Sequence, residues 1–321
     1  MPSSVINIQK VNQGFLMALT SAIVLSFTGI LIRILSENYQ LPALILAFWR
    51  DLLVVVCAFP FLIIFKPALL KIKRKNIPFL LGFGVVLALF NILWTLAVAL
   101  TGAAIATVLV YSSAGFTAIL GYFLLQEDLG WKKIMAVILC MTGCLLVSGA
   151  TDPNQWQANT LGIITGLLSG LLYAVYSLMG RTATQRLLNP WTTLFYSFLF
   201  AAVILLAINL LPLNSFPATA SSPAEMFLLK RQWRAWLLLL LLAGGPTLLG
   251  FGLYNVSLGI LTSSTANLIL TLEPVLTVIT AYFLLGERLT EQELLGSGLI
   301  LSALIILRFR MSARPSFNKL T

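Results

Sequence analysis

Long apolar stretches alternate with short polar connections along the whole chain, and their length is the first guide to the fold. A helix needs roughly 20 mostly apolar residues to cross the hydrocarbon core of a bilayer. Residues 76–126 contain no charged side chain, which is enough for two crossings joined by a tight turn at Thr101 and Gly102. The pattern predicts ten spans, at residues 14–35, 43–65, two within 76–126, then 134–149, 161–180, 191–211, 235–254, 263–285 and 294–307.

The composition indicates that lipid surrounds these stretches. Hydrophobic residues make up 59% of the 321 residues and charged residues only 9%, whereas about a quarter of the residues in a soluble domain are charged. The apolar stretches have the length of helices and lack the short alternating pattern of strands in an outer-membrane barrel. The predicted fold class is therefore an all-α polytopic membrane protein.

The net charge of +10 indicates an orientation in the membrane. Basic residues cluster in short connections between apolar stretches, such as 66–75, and cytoplasmic connections of membrane proteins carry an excess of Lys and Arg. We therefore expect both termini on the cytoplasmic side of a bacterial inner membrane. The same clustering gives no reason to expect a nucleic-acid partner, and the oligomeric state stays open.

Several kinds of chemistry are excluded by the residues that are present. The chain has no histidine, so histidine-ligated metal sites and the Ser-His or Cys-His catalytic pairs are ruled out. Its cysteines, Cys57, Cys140 and Cys144, lie inside apolar stretches, which indicates buried thiols and no disulfide framework. We expect no metal ion, no cofactor and no catalytic residue.

The sequence contains an internal repeat. Residues 122–129, Tyr-Phe-Leu-Leu-Gln-Glu-Asp-Leu, return as residues 282–289, Tyr-Phe-Leu-Leu-Gly-Glu-Arg-Leu, at a shift of 160 positions. Upstream, Gly14 matches Gly162 at a shift of 148 positions, and a longer connection in the second half accounts for the difference. Two consistent registers predict an N-terminal half at 1–150 and a C-terminal half at 151–321 within one transmembrane domain.

Each predicted half holds five spans. Because five is odd, the second half enters the membrane from the opposite side, and the two repeats are inverted. Inverted repeats are typical of secondary transporters, in which exchange of the conformations of the two halves gives alternating access. The alternative interpretation is a duplication that only builds a stable helix bundle.

The motifs of the two halves resemble the EamA family of the drug/metabolite transporter superfamily. Each half closes its fourth helix with Leu-x-Glu-x-Leu, and the second half adds Leu272-Glu273-Pro274 in its fourth helix and Gly296-Ser-Gly298 in its fifth. The first half departs from this pattern because Ser113 and Ala114 stand where Glu-Pro would repeat. The resemblance implies a transporter that exports amino acids or other metabolites, without specifying the substrate.

Two charged residues within the predicted spans are candidates for function. Glu273 falls in the middle of the ninth span and Arg50 in the second, where charges are costly and face the bundle interior or a cavity. Glu273 is either a protonatable or substrate-facing carboxylate, consistent with proton coupling, or a structural group that is hydrogen-bonded inside the bundle or paired with Arg50. Arg50 either makes such a pair or binds a substrate carboxylate. Because adjacent helical residues do not face each other, we expect Asp51 to need a partner other than Arg50.

Polar and aromatic residues that share the interior-facing spans form a predicted substrate cavity. Small hydroxyl groups can equally join helices to one another, so the larger side chains are the better candidates. These are Asn91, Trp94, Tyr111, Tyr173, Tyr176, Tyr254, Asn255, Asn267, Thr271 and Glu273. Such a lining suits a small amphipathic solute better than a polyanion, which would require several bases at that depth.

The sequence therefore favours a secondary transporter that exports amino acids or related metabolites by alternating access. One alternative is a channel, scaffold or sensor. Another is a membrane-embedded enzyme acting on lipid or prenyl substrates, although the chain has no paired acidic motif for a magnesium diphosphate.

Overall fold

A computed structural model describes residues 8–39, 41–148, 160–210, 226, 233–285 and 290–313, and in this part of the chain every regular element is a helix. The all-α class is therefore confirmed. Within the described ranges, seven helical stretches are long and apolar enough to cross a membrane, which makes the chain an integral membrane protein. The count of ten spans stays a prediction.

The first half begins with two helices and a long third one. Its helices are α1 (Ile8–Tyr39), α2 (Ala43–Phe65), α3 (Ile77–Tyr111), α4 (Ser113–Leu125) and α5 (Trp131–Val147). The bounds of α2 are those predicted from the sequence. Pro42 stands directly before this helix and cannot donate a backbone hydrogen bond, which explains why the helix starts there.

The second half contains two interrupted helices. Its helices are α6 (Thr160–Gln185), α7 (Pro190–Leu210), α8 (Trp233–Leu242), a π-helical turn (Ala243–Thr247), α9 (Leu248–Leu258), α10 (Ser263–Leu270), α11 (Glu273–Leu285) and α12 (Glu291–Ala313). Residues 286–289, which hold most of the second Leu-x-Glu-x-Leu motif, lie outside the described residues.

The predicted turn near Thr101 falls within α3, whose helical hydrogen bonding continues to Tyr111. Along this segment, the contacted positions of α6 nevertheless first decrease in residue number and then increase again. Thr101 lies against Gly162, and the later residue Leu109 lies against Gly166, whereas the earlier residue Phe90 stacks on Tyr173. A straight helix advancing about 1.5 Å per residue could not make these contacts. The chain therefore turns back between Thr101 and Leu109.

Contacts between the two halves occur in matched pairs. A β-carbon built on Gly14 would lie 2.8 Å from Ile260 Cγ2, and one built on Gly162 would lie 2.8 Å from Leu100 Cβ. Gly14 and Gly162 differ by 148 positions, and Leu100 and Ile260 differ by 160, which are the two registers of the sequence repeat. Each half thus places the first residues of its first helix against the connection between the third and fourth helices of the other half.

Helices α5 and α12 pack directly on each other. A β-carbon on Gly143 would lie 2.7 Å from the Gly296 carbonyl oxygen, and the reverse contact has the same length. Glycines allow two helix backbones to come this close inside a membrane. Most other buried apolar side chains form one continuous core, to which α5 and α12 also contribute.

Candidate functional site

Helices are interrupted at corresponding places in the two halves. In the first half, Ser112 separates α3 from α4, and in the second half Thr271 and Leu272 separate α10 from α11. A shift of 160 positions superimposes Ser112 on Leu272. Pro274 accounts for the second break because it lacks an N–H and its ring clashes with the carbonyl of the preceding turn. At the first break the Ser112 hydroxyl donates to the Leu109 carbonyl, an alternative to regular helix bonding.

A network of buried hydroxyl and amide groups lies beside these breaks. The Ser177 and Tyr254 hydroxyl oxygens are 2.7 Å apart, and the Asn267 side-chain nitrogen donates to Ser177 at 3.2 Å. The Ser113 hydroxyl donates to the Asn267 side-chain oxygen, also at 3.2 Å. The network therefore joins α4 of the first half to α6, α9 and α10 of the second.

Stacked tyrosine rings cover this network. The Tyr173 ring lies 5.2 Å from Phe90, 6.3 Å from Tyr176 and 6.2 Å from Tyr254, measured between ring centroids. The Asn255 side-chain nitrogen donates to the Tyr176 hydroxyl at 3.2 Å. Its side-chain oxygen is buried against Gly180 of α6 and has no hydrogen-bond partner among the described residues.

Glu273 opens α11 next to the tyrosines. Its carboxylate hydrogen-bonds with the Tyr111 hydroxyl and is an electrostatic neighbour of Tyr173. The Glu273 side chain is only partly buried, so part of it borders open space. The arrangement therefore presents a carboxylate, hydroxyl groups and aromatic faces together in the middle of the bundle.

Arg50 and Asp51 form a second buried polar group with Asn91 of α3. The Arg50 Nε donates to Asp51 Oδ1 at 3.2 Å, and Arg50 Nη2 donates to the Asn91 side-chain oxygen at 2.6 Å. The Asn91 side-chain nitrogen donates to Asp51 Oδ2 at 2.7 Å. The expectation that adjacent Arg50 and Asp51 would not meet is wrong, because the long arginine side chain curls back along the helix. Arg50 thus has its ion pair here and not with Glu273.

The residues expected to line one cavity occupy three places in the structure. Tyr173, Tyr176, Tyr254, Asn255, Asn267, Tyr111 and Glu273 lie in the central region described above. Trp94 lines a separate small cleft with Asn91 and Arg50. The Thr271 hydroxyl donates to the Leu268 carbonyl at 2.6 Å, and its oxygen lies 3.1 Å from the Cys140 sulfur, which links the break after α10 to α5.

Glu127 connects the two halves through hydrogen bonds, a role that was not predicted from the sequence. Its Oε1 accepts hydrogen bonds of 2.6 Å from both the backbone nitrogen and the hydroxyl of Ser263, and its Oε2 accepts from the backbone and hydroxyl of Ser264. The Lys133 ammonium donates to the Ser264 hydroxyl at 2.7 Å. Glu127 therefore caps the first turn of α10, which favours negative charge. The Leu-x-Glu-x-Leu motif, which contains Glu127 and occurs in both halves, is the sequence feature that could have indicated this role.

Comparison with known proteins places this architecture among transporters. A probable amino-acid metabolite efflux pump of Salmonella typhimurium is 27% identical over 94% of this chain and 98% of its own length. An uncharacterized transporter of Synechocystis is 25% identical over 95% of this chain and 96% of its own length. A probable amino-acid metabolite efflux pump of Escherichia coli is also 25% identical, over 94% of this chain and 96% of its own length.

A solved crystal structure shares the fold. It superimposes with a TM-score of 0.74 at 13% identity, over 94% of this chain and 98% of its own, which supports the fold alone. The model of the EamA-like transporter family matches residues 12–149 and again residues 160–309. These names describe transporters and not enzymes. The chain belongs to the EamA-like transporter family.

Proposed function

We propose that the chain is a secondary transporter that exports small amphipathic metabolites, amino acids or related compounds, across the cytoplasmic membrane by alternating access. In this proposal ten spans form two inverted halves, at 1–150 and 151–321, with both termini in the cytoplasm. The clustering of basic residues in connections such as 66–75 supports this orientation.

The paired contacts between the halves support an architecture of two equivalent halves that can move relative to each other. The contacts of Gly14 with Ile260 and of Gly162 with Leu100 follow the two sequence registers. A protein built in this way can exchange the conformations of its halves, which opens the same central site first to one side and then to the other.

The observation that carries the proposal is the polar aromatic region beside the two helix breaks. Interrupted helices near the middle of a bundle expose backbone groups that can bind a solute in transporters. Here Tyr173 and Tyr176 offer aromatic faces, and Glu273 offers a carboxyl group.

These groups favour one class of solute. The tyrosine rings suit an apolar or cationic portion, and the Glu273 carboxylate suits an ammonium group. A polyanion would find the Glu273 carboxyl group here, and no base is among the described residues that line this central region. An amino acid or a close relative fits this combination, and the relatives from Salmonella typhimurium and Escherichia coli carry names consistent with it.

Efflux from intact cells tests this function. Cells that express the chain are loaded with individual radiolabelled amino acids, and loss of label is compared with cells that carry an empty vector. We expect faster loss of at least one aromatic or branched amino acid. Equal loss for the whole panel, with the protein present in the membrane, would argue against export of amino acids.

Two tyrosine variants connect this activity to the site. Tyr254→Phe removes a hydroxyl that bonds with Ser177 and Asn267, so we expect efflux to slow several-fold. Tyr122→Phe is the matched control, because the Tyr122 side chain is half exposed on the outside of α4. Equal efflux by the two variants would mean that the hydroxyl network does not take part in transport.

A further inference from the structure

We propose that the cleft beside Arg50 is a separate binding subsite for a carboxylate group. The cleft lies between α1, α2 and α3 and is lined by Ile32, Ser36, Ala43, Leu46, Ala47, Arg50, Asn91, Trp94 and Thr95. The proposal rests on the proposed transport function only in assigning the carboxylate to a transported solute.

The Arg50 guanidinium is held in place and still has donors to spare. A guanidinium carries five N–H donors, and the bonds to Asp51 and Asn91 use Nε and one hydrogen of Nη2. No residue of the described chain accepts a hydrogen bond from Nη1. Because Arg50 belongs to the cleft lining, its terminal edge can form the two parallel hydrogen bonds that an arginine makes with a carboxylate.

Neighbouring side chains favour the same ligand. Within the described residues, the Thr95 and Ser36 hydroxyls and the Trp94 indole N–H line the cleft without a hydrogen-bond partner. Every one of these groups can donate. The acidic residue of this group, Asp51, is fully buried and bonded to Arg50 and Asn91. The cleft thus presents hydrogen-bond donors, and the nearby Asp51 carboxylate already accepts hydrogen bonds from Arg50 and Asn91.

The charge of the cleft favours a monoanion. Among the described residues, Arg50 is the one base in the lining, whereas a phosphate group calls for several bases at the same depth. Apolar side chains on α1 and α2 complete the walls. A carboxylate attached to a small apolar body therefore fits better than inorganic phosphate.

The Asp51 carboxylate also connects this cleft with the central region. It is an electrostatic neighbour of Tyr176, the ring that bonds with Asn255. The Arg50 group and the tyrosines are therefore neighbouring polar regions of the bundle.

Binding to the purified protein in detergent tests the subsite. The probes are 3-phenylpropionate, its neutral analogue 3-phenylpropionamide, and inorganic phosphate. We expect wild-type protein to bind the carboxylate about tenfold more tightly than the amide, since a hydrogen bond to a charged group is worth about 1.5–3 kcal/mol. Inorganic phosphate should not compete at the same concentration.

Variants test which residues cause the preference for the carboxylate over the amide. Arg50→Lys should lose most of the preference for the carboxylate because an ammonium cannot form the parallel pair of bonds. Thr95→Val should weaken carboxylate binding several-fold and leave amide binding unchanged. The double variant Arg50→Gln with Asp51→Asn avoids an unpaired buried acid and should abolish the preference. Arg186→Gln is the control, because the Arg186 guanidinium lies over the Phe79 ring, away from the cleft.

Two results would overturn the subsite. One is wild-type protein that binds the carboxylate no more tightly than the amide, and the other is a double variant that keeps the preference. Efflux measured in parallel separates this proposal from the transport function. Efflux without any Arg50-dependent preference would remove the subsite and leave the transporter, whereas an Arg50-dependent preference without efflux would remove the transport proposal alone.

Discussion

Replacement of Gly296 by alanine tests how α5 and α12 hold the two halves together. A methyl group on Gly296 would lie 2.7 Å from the Gly143 carbonyl oxygen and 2.8 Å from both Leu146 Cβ and Val147 Cγ2. A carbonyl oxygen and a Cβ belong to, or lie next to, the backbone, so they cannot rotate aside. The methyl group therefore forces the two helices apart.

The size of the effect follows from two opposing contributions. Overpacking of a close contact costs about 1–3 kcal/mol, while alanine in place of glycine favours a helix by about 1 kcal/mol. We expect Gly296→Ala to lower the free energy of unfolding by up to about 2 kcal/mol. The measurement is the loss of helical circular dichroism as sodium dodecyl sulfate is added to protein in dodecyl maltoside micelles.

Gly298 provides a matched control on the same helix. It is exposed, and a β-carbon built on it meets no atom within 4 Å. Gly298→Ala therefore changes only helix propensity and should leave stability unchanged or raise it by up to about 1 kcal/mol. Equal shifts for Gly296→Ala and Gly298→Ala would refute the close approach of α5 and α12.

Two further substitutions test the acidic residues. Glu127→Ala removes the hydrogen bonds to Ser263 and Ser264, and we expect it to lower the free energy of unfolding by about 3 kcal/mol, with Glu127→Gln intermediate; unchanged stability in the same detergent titration would contradict the capping role. Glu273→Gln can still bond with Tyr111 but cannot carry a proton, so counterflow should persist while accumulation driven by a pH gradient is lost. Wild-type accumulation by that variant would restrict Glu273 to a structural role.

The sequence predicted well those features that depend on periodic pattern and on local stop signals. The predicted and observed bounds of α2 agree because Pro42 stands directly before the helix and a basic connection follows it. The shifts of 148 and 160 positions reappear as paired contacts because residues in equivalent places of a repeat meet equivalent neighbours. Pro274 is a local signal for the helix break at Thr271, because proline interrupts helical hydrogen bonding.

Features that depend on side-chain reach could not be obtained in the same way. The contact between Arg50 and Asp51 was excluded on helix geometry, which considers the direction of Cβ and not the length of an arginine. The break at Ser112 has no proline beside it. The bonds of Glu127 to Ser263 join residues 136 positions apart, a separation that a single sequence does not reveal.

Ser177 shows why small hydroxyl groups are difficult to assign. As a serine on a membrane helix, it was grouped with residues that join helices to one another. In the structure its hydroxyl lies 2.7 Å from that of Tyr254 and accepts from Asn267, at the centre of the proposed site. The residue type alone does not distinguish these roles, because both require one donor and one acceptor.

Solute counterflow in proteoliposomes tests most directly whether the chain is an alternating-access transporter. Vesicles that contain the purified protein are loaded with a high concentration of an unlabelled amino acid and diluted into a trace of the same compound carrying a radiolabel. An alternating-access transporter accumulates label transiently above its equilibrium level, since each outward passage of unlabelled solute returns the site to the labelled side. Protein-dependent entry of label that rises only to equilibrium, without an overshoot, would indicate a channel and contradict the account.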